Sequence, residues 1–293
     1  MMTYSPLRYP GGKAKLAAYI REVVDVNDLG QSHYIEPFAG GAGVAFDLLI
    51  NDKVKEIHIN DIDRSIYAFW HSVLNNANAL CDMIMECEIS IDNWQKQKAI
   101  KLNYTDANLL QLGFATFFLN RTNRSGVLNA GPIGGNLQSG DWKLNCRFNR
   151  KDLVSRIKRI SLFSSRINLQ NMDALEFIDG VFDDAKRLSL VYLDPPYFVK
   201  GACLYQNHFI PDDHKKLADY IISMKQFHWI VSYDNVPEIK KLYSTEVQEE
   251  FDIVYSANGY SQGKEIMVFD RRLIRPRRIY SSQKQFRELQ LEQ

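Results

Sequence analysis

Asp194-Pro195-Pro196-Tyr197 is the part of the chain best equipped for chemistry. It follows the apolar run Leu190 to Leu193, which reads as a buried strand, and two consecutive prolines there stop the strand and fix an extended turn. These residue types suit one difficult reaction. An exocyclic amine on adenine is conjugated with its ring, so its lone pair is poorly available to attack a sulfonium methyl group. The Asp194 carboxylate and the Pro195 carbonyl can each accept a hydrogen bond from that amine, orienting it and keeping electron density on nitrogen during in-line transfer. Tyr197 would stack on the base, which has to be swung out of a duplex to be reached. A proline-rich turn closing a strand is the plainer alternative.

Glu36-Pro37-Phe38-Ala39-Gly40-Gly41-Ala42-Gly43 lies between the strand-like Tyr34-Ile35 and a helical run from Val44 to Leu49. Glycines there let the backbone approach a ligand and open the helix. Eighteen residues past Gly43, the run Glu56 to Asn60 ends in Asp61, about the spacing at which an acid binds ribose hydroxyls. Together they suggest an adenosine-containing cofactor, although Asp61 could instead cap the helix after Ile62 and Asp63. Arg8-Tyr9-Pro10-Gly11-Gly12-Lys13 lacks the spacing of a phosphate-binding GxxxxGK[ST] loop. Tyr9 offers an aromatic face to a sulfonium or an adenine, Lys13 a cation to a carboxylate, and a solvated turn accounts for both equally. Asp173-Ala174-Leu175-Glu176-Phe177 follows another strand-like run; its acid could contact the cofactor's adenine or cap the next helix.

Short apolar runs must position these groups: Tyr34-Ile35, Ile57-His58-Ile59, Ile167-Asn168-Leu169, Leu190 to Leu193 and Trp229-Ile230-Val231. They alternate with helical stretches such as Asp212 to Met224, which predicts an α/β fold with a mostly parallel sheet and ligands at the carboxyl ends of its strands. Residues 72–164 differ. Ser72 to Leu112 mixes polar and apolar residues in a helical manner, and Asn120 to Gly140 is rich in Asn, Gly and Ser. The expected division is a discontinuous catalytic domain, 1–71 and 165–293, with a largely helical insertion at 72–164.

Net charge is only +1, yet it is uneven. Arg121 to Arg166 holds ten Lys or Arg against Asp141 and Asp152, and Arg271 to Arg278 has five Arg and no acid. A polyanion backbone would settle on those segments. Arg121, Arg124, Lys143, Arg147 and Arg150 are candidate phosphate contacts, and Asn123, Arg124, Asn136 and Gln138 candidate base readers. No apolar run is long enough to span a membrane, and Met1 to Pro6 lacks the basic start and apolar stretch of a signal peptide, so the expected location is the cytoplasm. Cys81, Cys87, Cys146 and Cys203 form no CxxC pair and no His sits at ligand spacing, so no metal and no disulfide framework is expected.

In motif content and order the chain resembles the Dam-like DNA adenine methyltransferases over nearly its whole length: Arg8 to Lys13, Ile35 to Val44, Ile57 to Asp63, Phe117 to Asn129, Asp173 to Phe177, Asp194 to Tyr197, Ile230 to Asn235 and Asn258 to Phe269. The resemblance implies a Rossmann-like methyltransferase sheet with an inserted DNA-recognition domain and S-adenosylmethionine as cofactor. It also implies double-stranded DNA as substrate, a bacterial or phage origin and, for some members, a companion restriction endonuclease. Carried onto this chain, it places Tyr9, Lys13, Glu36, Phe38, Gly40, Asp61, Ile62, Asp173, Ala174 and Asp194 at the cofactor, and Asp194, Pro195, Pro196 and Tyr197 at the target base. The cofactor loop reads FAGGAG where many relatives have FxGxG or FxGGG. After Arg121, enzymes acting on GATC continue with Tyr-Gly-Tyr-Asn-Gly-like residues, whereas this chain has Thr122-Asn123-Arg124-Ser125-Gly126, so the GATC target does not carry over. Three alternatives stay open: an N4-cytosine DNA methyltransferase, a non-catalytic DNA-binding protein on the same scaffold, and a nicotinamide-dependent oxidoreductase for which no hydride-transfer partner is visible.

Overall fold

Leu190 to Leu193 is wholly buried and forms β4 (Ser189–Leu193) in the middle of a seven-stranded sheet, as expected of a strand covered on both faces. The computed structural model describes residues 4–8, 13–182, 189–199, 209–255 and 261–276. Parallel to β4 run β1 (His33–Glu36), β2 (Glu56–Asn60), β3 (Ile167–Gln170) and β5 (His228–Asp234). The order is β3-β2-β1-β4-β5-β7-β6, with β7 (Ser261–Phe269) antiparallel to β5 and to β6 (Val247–Tyr255). The five parallel strands are those that the apolar runs predict. The antiparallel insertion of β7 is new, because only long-range pairing defines it.

Successive residues divide the core by face. Tyr34, Ile57, Ile59 and Leu190 pack with residues of α1 (Ala17–Val26), α2 (Gly43–Ile50) and α3 (Arg64–Asn75). Ile35, Val191, Leu193 and Val231 pack with residues of α8 (Ala174–Phe182) and α9 (Pro211–Ser223). From β1 the chain winds outward through β2 to β3, and from β4 outward through β5. The winding reverses between β1 and β4, where sheets of this type open a crevice at their carboxyl ends.

Between β2 and β3 lie α3, α4 (Ala77–Glu86), α5 (Ile91–Leu102), α6 (Leu109–Thr122), a loop from 123 to 149 and α7 (Arg150–Ser161). Ser90, Asn108 and Asn149 cap α5, α6 and α7 by accepting hydrogen bonds from Asn93, Gln111 and Asp152 backbone N–H groups. The expected boundary at residue 72 falls inside α3, which packs closely on α6. A Cβ on Gly113 would come within 2.5 Å of the Ala68 carbonyl oxygen, so the missing side chain lets the two helices approach. Cys81, Cys87 and Cys146 are free thiols, and Cys203 lies outside the described residues. Among the described residues no helix is long and apolar enough to cross a membrane.

The second basic segment differs from expectation. Arg271 and Arg275 pair with Glu246 and Glu249, holding the chain after β7 against β6 and the residue before it, while Arg272 pairs with Asp270 and donates to the Lys225 and Phe227 carbonyls, so none is presented as a free cation. Arg277 and Arg278 lie outside the described residues.

Candidate active site

At the carboxyl end of β1 the backbone turns through two left-handed residues, Gly40 at φ 45° and Ala42 at φ 46°, before α2 begins. Only the glycine is at ease there; Ala42 is held in that conformation at a cost of about 1–2 kcal/mol. Gly40 and its neighbour are pinned from two elements, the end of β2 and α3. The Gly40 N–H donates to Asp61 Oδ2 at 2.9 Å, its carbonyl accepts from Trp70 Nε1 of α3, and the neighbouring Ala39 N–H donates to the Asn60 carbonyl. Asp61 Oδ1 accepts from Asp63 N–H, and Asp63 itself caps α3 through Ser65. Asp61 is therefore not the cap of that helix. Burial, with Asp63 nearby, pushes the Asp61 carboxyl up to about 7. Glu36 is buried, its Oε2 has no hydrogen-bond partner among the described residues, and burial beside Asp194 holds its carboxyl well above the usual range.

Asn60, which no sequence motif singled out, ties three strand ends together. Its amide donates to the Pro37 and Met172 carbonyls and accepts from Met172 N–H. Asn171 adds donation to the Asp61 and Ile62 carbonyls. Two exposed apolar side chains, Ile62 and Met172, are thereby brought to the same rim. Asp173 accepts from Leu175 and Glu176 N–H groups, so it acts as the cap of α8; Ala174, the first residue of that helix, is buried. Phe38 is half-buried, edge-on to Phe209. Tyr9 lies outside the described residues.

Past β4, Asp194 carries two partners on one oxygen: Lys13 Nζ is 3.3 Å from Oδ1, and Ser232 Oγ of β5 donates to Oδ1 at 3.1 Å. Oδ2 has no partner among the described residues, and the side chain keeps 14% exposure. Burial raises the carboxyl, Lys13 opposes that and Glu265 adds to it, leaving it at about 6. Lys13 is itself buried and also pairs with Glu265. Burial works against its charge, yet the two carboxylates more than compensate and raise its pKa. Tyr197, next to the buried Pro195 and Pro196, donates from its hydroxyl to Glu265 Oε1 at 2.6 Å, with Lys13 Nζ 5.4 Å from its ring centroid. Asp234 at the end of β5 accepts from the Phe198 and Val199 N–H groups, fixing the far side of the loop. Glu265, Ser232 and Asp234 thus join the site from the segments Ile230 to Asn235 and Asn258 to Phe269, in which the sequence singles out no residue for a role.

The loop from 123 to 149 separates the candidate DNA contacts. Arg124, Asn136, Lys143 and Arg147 are exposed. Arg147 lies 5.8 Å from the Trp142 ring centroid, and Lys143 donates to the Gln138 carbonyl. Three others face inward. Asn123 is wholly buried, accepting from Trp94 and donating to the Val127 and Leu128 carbonyls. Arg121 donates to the Arg147 and Pro6 carbonyls, and burial lowers its pKa to about 10. Arg150 donates to the Ile84 and Cys87 carbonyls. Gln138 likewise spends its amide on Ile133, Gly135 and Leu144. Through these bonds the four brace the loop.

A family model for the D12 class of N6 adenine-specific DNA methyltransferases matches residues 9–260. The chain is 26% identical over 204 residues to the type II methyltransferase M.MjaIII of Methanocaldococcus jannaschii, covering 65% of this chain and 68% of that protein. It is 21% identical over 225 residues to the type II methyltransferase M.CviBI of Paramecium bursaria Chlorella virus NC1A, covering 76% and 81%. Among solved structures, an S-adenosylmethionine-dependent methyltransferase from Agrobacterium tumefaciens aligns over 87% of this chain and 61% of its own at 9% identity and a TM-score of 0.40. The family match, over most of the chain, decides for adenine among the alternatives left open by the residues. The chain belongs to the D12 class of N6 adenine-specific DNA methyltransferases, enzymes that methylate adenine in DNA with S-adenosylmethionine as methyl donor.

Proposed function

We propose that this chain methylates one adenine within a specific double-stranded DNA sequence, the base being swung out into the crevice between the carboxyl ends of β1 and β4. One observation carries the assignment of Asp194: its two partners crowd onto Oδ1 and leave Oδ2 to accept a hydrogen bond from the adenine amine. With the Pro195 carbonyl as second acceptor, the amine is held by two oxygens fixed on a rigid turn. Lys13 favours the ionised form of Asp194. Tyr197, anchored by Glu265 through its hydroxyl, would stack on the base once the base enters the crevice.

S-adenosylmethionine, when bound, supplies an electrophilic methyl group on a sulfonium centre. The residues present fit it. The left-handed turn at Gly40 brings backbone close to a ligand, Asp61 is an acid at the end of β2 suited to ribose hydroxyls, and the orphaned Glu36 Oε2 can accept from an ammonium group. Ile62 and Met172 offer apolar contact to an adenine ring, beside Phe38 and Ala174. Asp173 acts by starting α8 at that rim.

Residues 72–164 serve as the recognition insertion. Arg124, Lys143 and Arg147 would meet phosphates and Asn136 a base edge, while Leu137, 90% exposed, and Trp142, 67% exposed, suit contact with unstacked bases. The family resemblance suggests a bacterial or phage-infected cell as the setting, where the chain would modify DNA in the cytoplasm; the likeness to two type II methyltransferases adds a restriction endonuclease of the same specificity as its companion.

Expressing the chain in a host lacking adenine methylation and sequencing its DNA for modified bases tests this directly. N6-methyladenine should appear within one recurring sequence; modification without a shared sequence would remove the specificity claim. Asp194→Ala should lower turnover by at least about 10²–10³-fold with cofactor and DNA affinity largely kept, whereas near-normal turnover would sink the mechanism.

A further inference from the structure

At the opposite end of the sheet, two neighbouring parallel strands carry three polar side chains where apolar ones would be expected. His33 begins β1, and Glu56 and His58 stand two residues apart on β2. His33 pairs with Glu56 in register, so the three side chains share one face, the face that Ile35 and Val191 cover with α8 and α9 further along. His33 Nδ1 and His58 Nε2 are 2.8 Å apart, and a carboxylate oxygen of Glu56 completes a set of three donor atoms lying within 4.8 Å of one another. Sequence spacing conceals this set, because 25 residues separate the two histidines and only strand pairing joins them.

We propose that His33, Glu56 and His58 form a binding site for a divalent transition metal ion, Zn²⁺ above all, distinct from the catalytic crevice. Two imidazoles and one carboxylate are a common zinc donor set, and three protein ligands leave a fourth position for water. The geometry is close to what the ion requires. Two nitrogens on a tetrahedral zinc at about 2.0–2.1 Å stand roughly 3.3 Å apart, so the rings need move by only about half an ångström. The support expected around a metal ligand is present: Asn168 of β3, the register partner of His58, donates from Nδ2 to Glu56 Oε2 at 3.3 Å. On the other flank Ser189 of β4, the register partner of His33, is buried with a hydroxyl that has no partner among the described residues. All ligands sit on strands, which keeps them in place without the ion. The site lies about 10 Å of strand away from Glu36 and the crevice, so the ion takes no part in methyl transfer.

The experiment uses the full chain, stripped with a chelator and dialysed. Titration with zinc chloride in a calorimeter should show one equivalent bound, and Co²⁺ in its place should give the visible absorption of a four-coordinate nitrogen–oxygen site. Zinc should raise the melting temperature by several degrees while methyl transfer stays unchanged. His33→Ala, Glu56→Gln and Asn168→Ala should each weaken binding tenfold or more; Glu56→Gln preserves shape and covers the case in which the alanine variants fold poorly. No binding, or equal binding by wild type and Glu56→Gln, would overturn the proposal.

Discussion

Asp194 is caught between opposing influences. Burial and Glu265 favour its acid form, Lys13 and Ser232 its carboxylate, and the balance leaves it at about 6. Only the carboxylate leaves both oxygens as acceptors, so kcat/KM should fall as pH drops through about 6. Lys13→Met should move that acid limb to higher pH by leaving two carboxylates without their cation, and should cost about 3–5 kcal/mol of stability. A pH–rate series on both proteins, with chemical denaturation, checks the pair of effects; an unmoved limb would show that Lys13 does not set the charge. Asp61 makes a separate prediction. Its folded value, about 7, lies above the unfolded one, so its contribution to stability is complete below about pH 4 and lost as pH rises to 7. Between pH 5 and 8 the wild type should therefore lose about 2–3 kcal/mol relative to Asp61→Asn, measured by urea unfolding at each pH. The motif residues Asp194, Asp61 and Gly40 are legible in the sequence because short local patterns carry them. Glu265 is not, since a lone Glu in a strand has no signature and its partners Tyr197 and Lys13 are 68 and 252 residues away.

At the scale of elements, the parallel strands can be read from apolar runs because each is covered on both faces and so lacks polar alternation. β7 escapes because nothing local says which neighbours an antiparallel strand will choose. The insertion is legible as helical and basic, but charge alone does not reveal direction: Arg121 and Arg150 add to its basic character, yet both donate to backbone carbonyls of this chain. Asn123 has the side chain of a base reader and is instead the peg that holds Trp94 and the turn at Val127. The contact between α3 and α6 depends on Gly113. Gly113→Ala should destabilise the protein by at least about 1–3 kcal/mol, because the new methyl group meets a backbone carbonyl that cannot turn aside. Thermal unfolding reads this, and an unchanged melting temperature would mean that the helices are not closely packed.

For the whole molecule, a net charge of +1 gives little long-range attraction to DNA, so affinity has to come from local cations. Neutralising Arg124, Lys143 and Arg147 together should weaken duplex binding for all sequences alike and reduce the slope of log affinity against log salt by roughly 0.9 for each phosphate no longer neutralised. The same change at Arg121 should act through folding instead, which a salt series and a melting curve separate. The ion pair of Lys13 with Glu265 spans 252 residues, so it joins the first described helical turn to the last strand of the sheet. A chain emerging from the ribosome can form the Gly40 turn and the Asn60 clasp early, but the proposed methyl-transfer centre stays incomplete until Glu265 has been made. On the proposed mechanism catalytic competence is in this way a late event of synthesis, and a chain stalled before β7 should stay chemically silent.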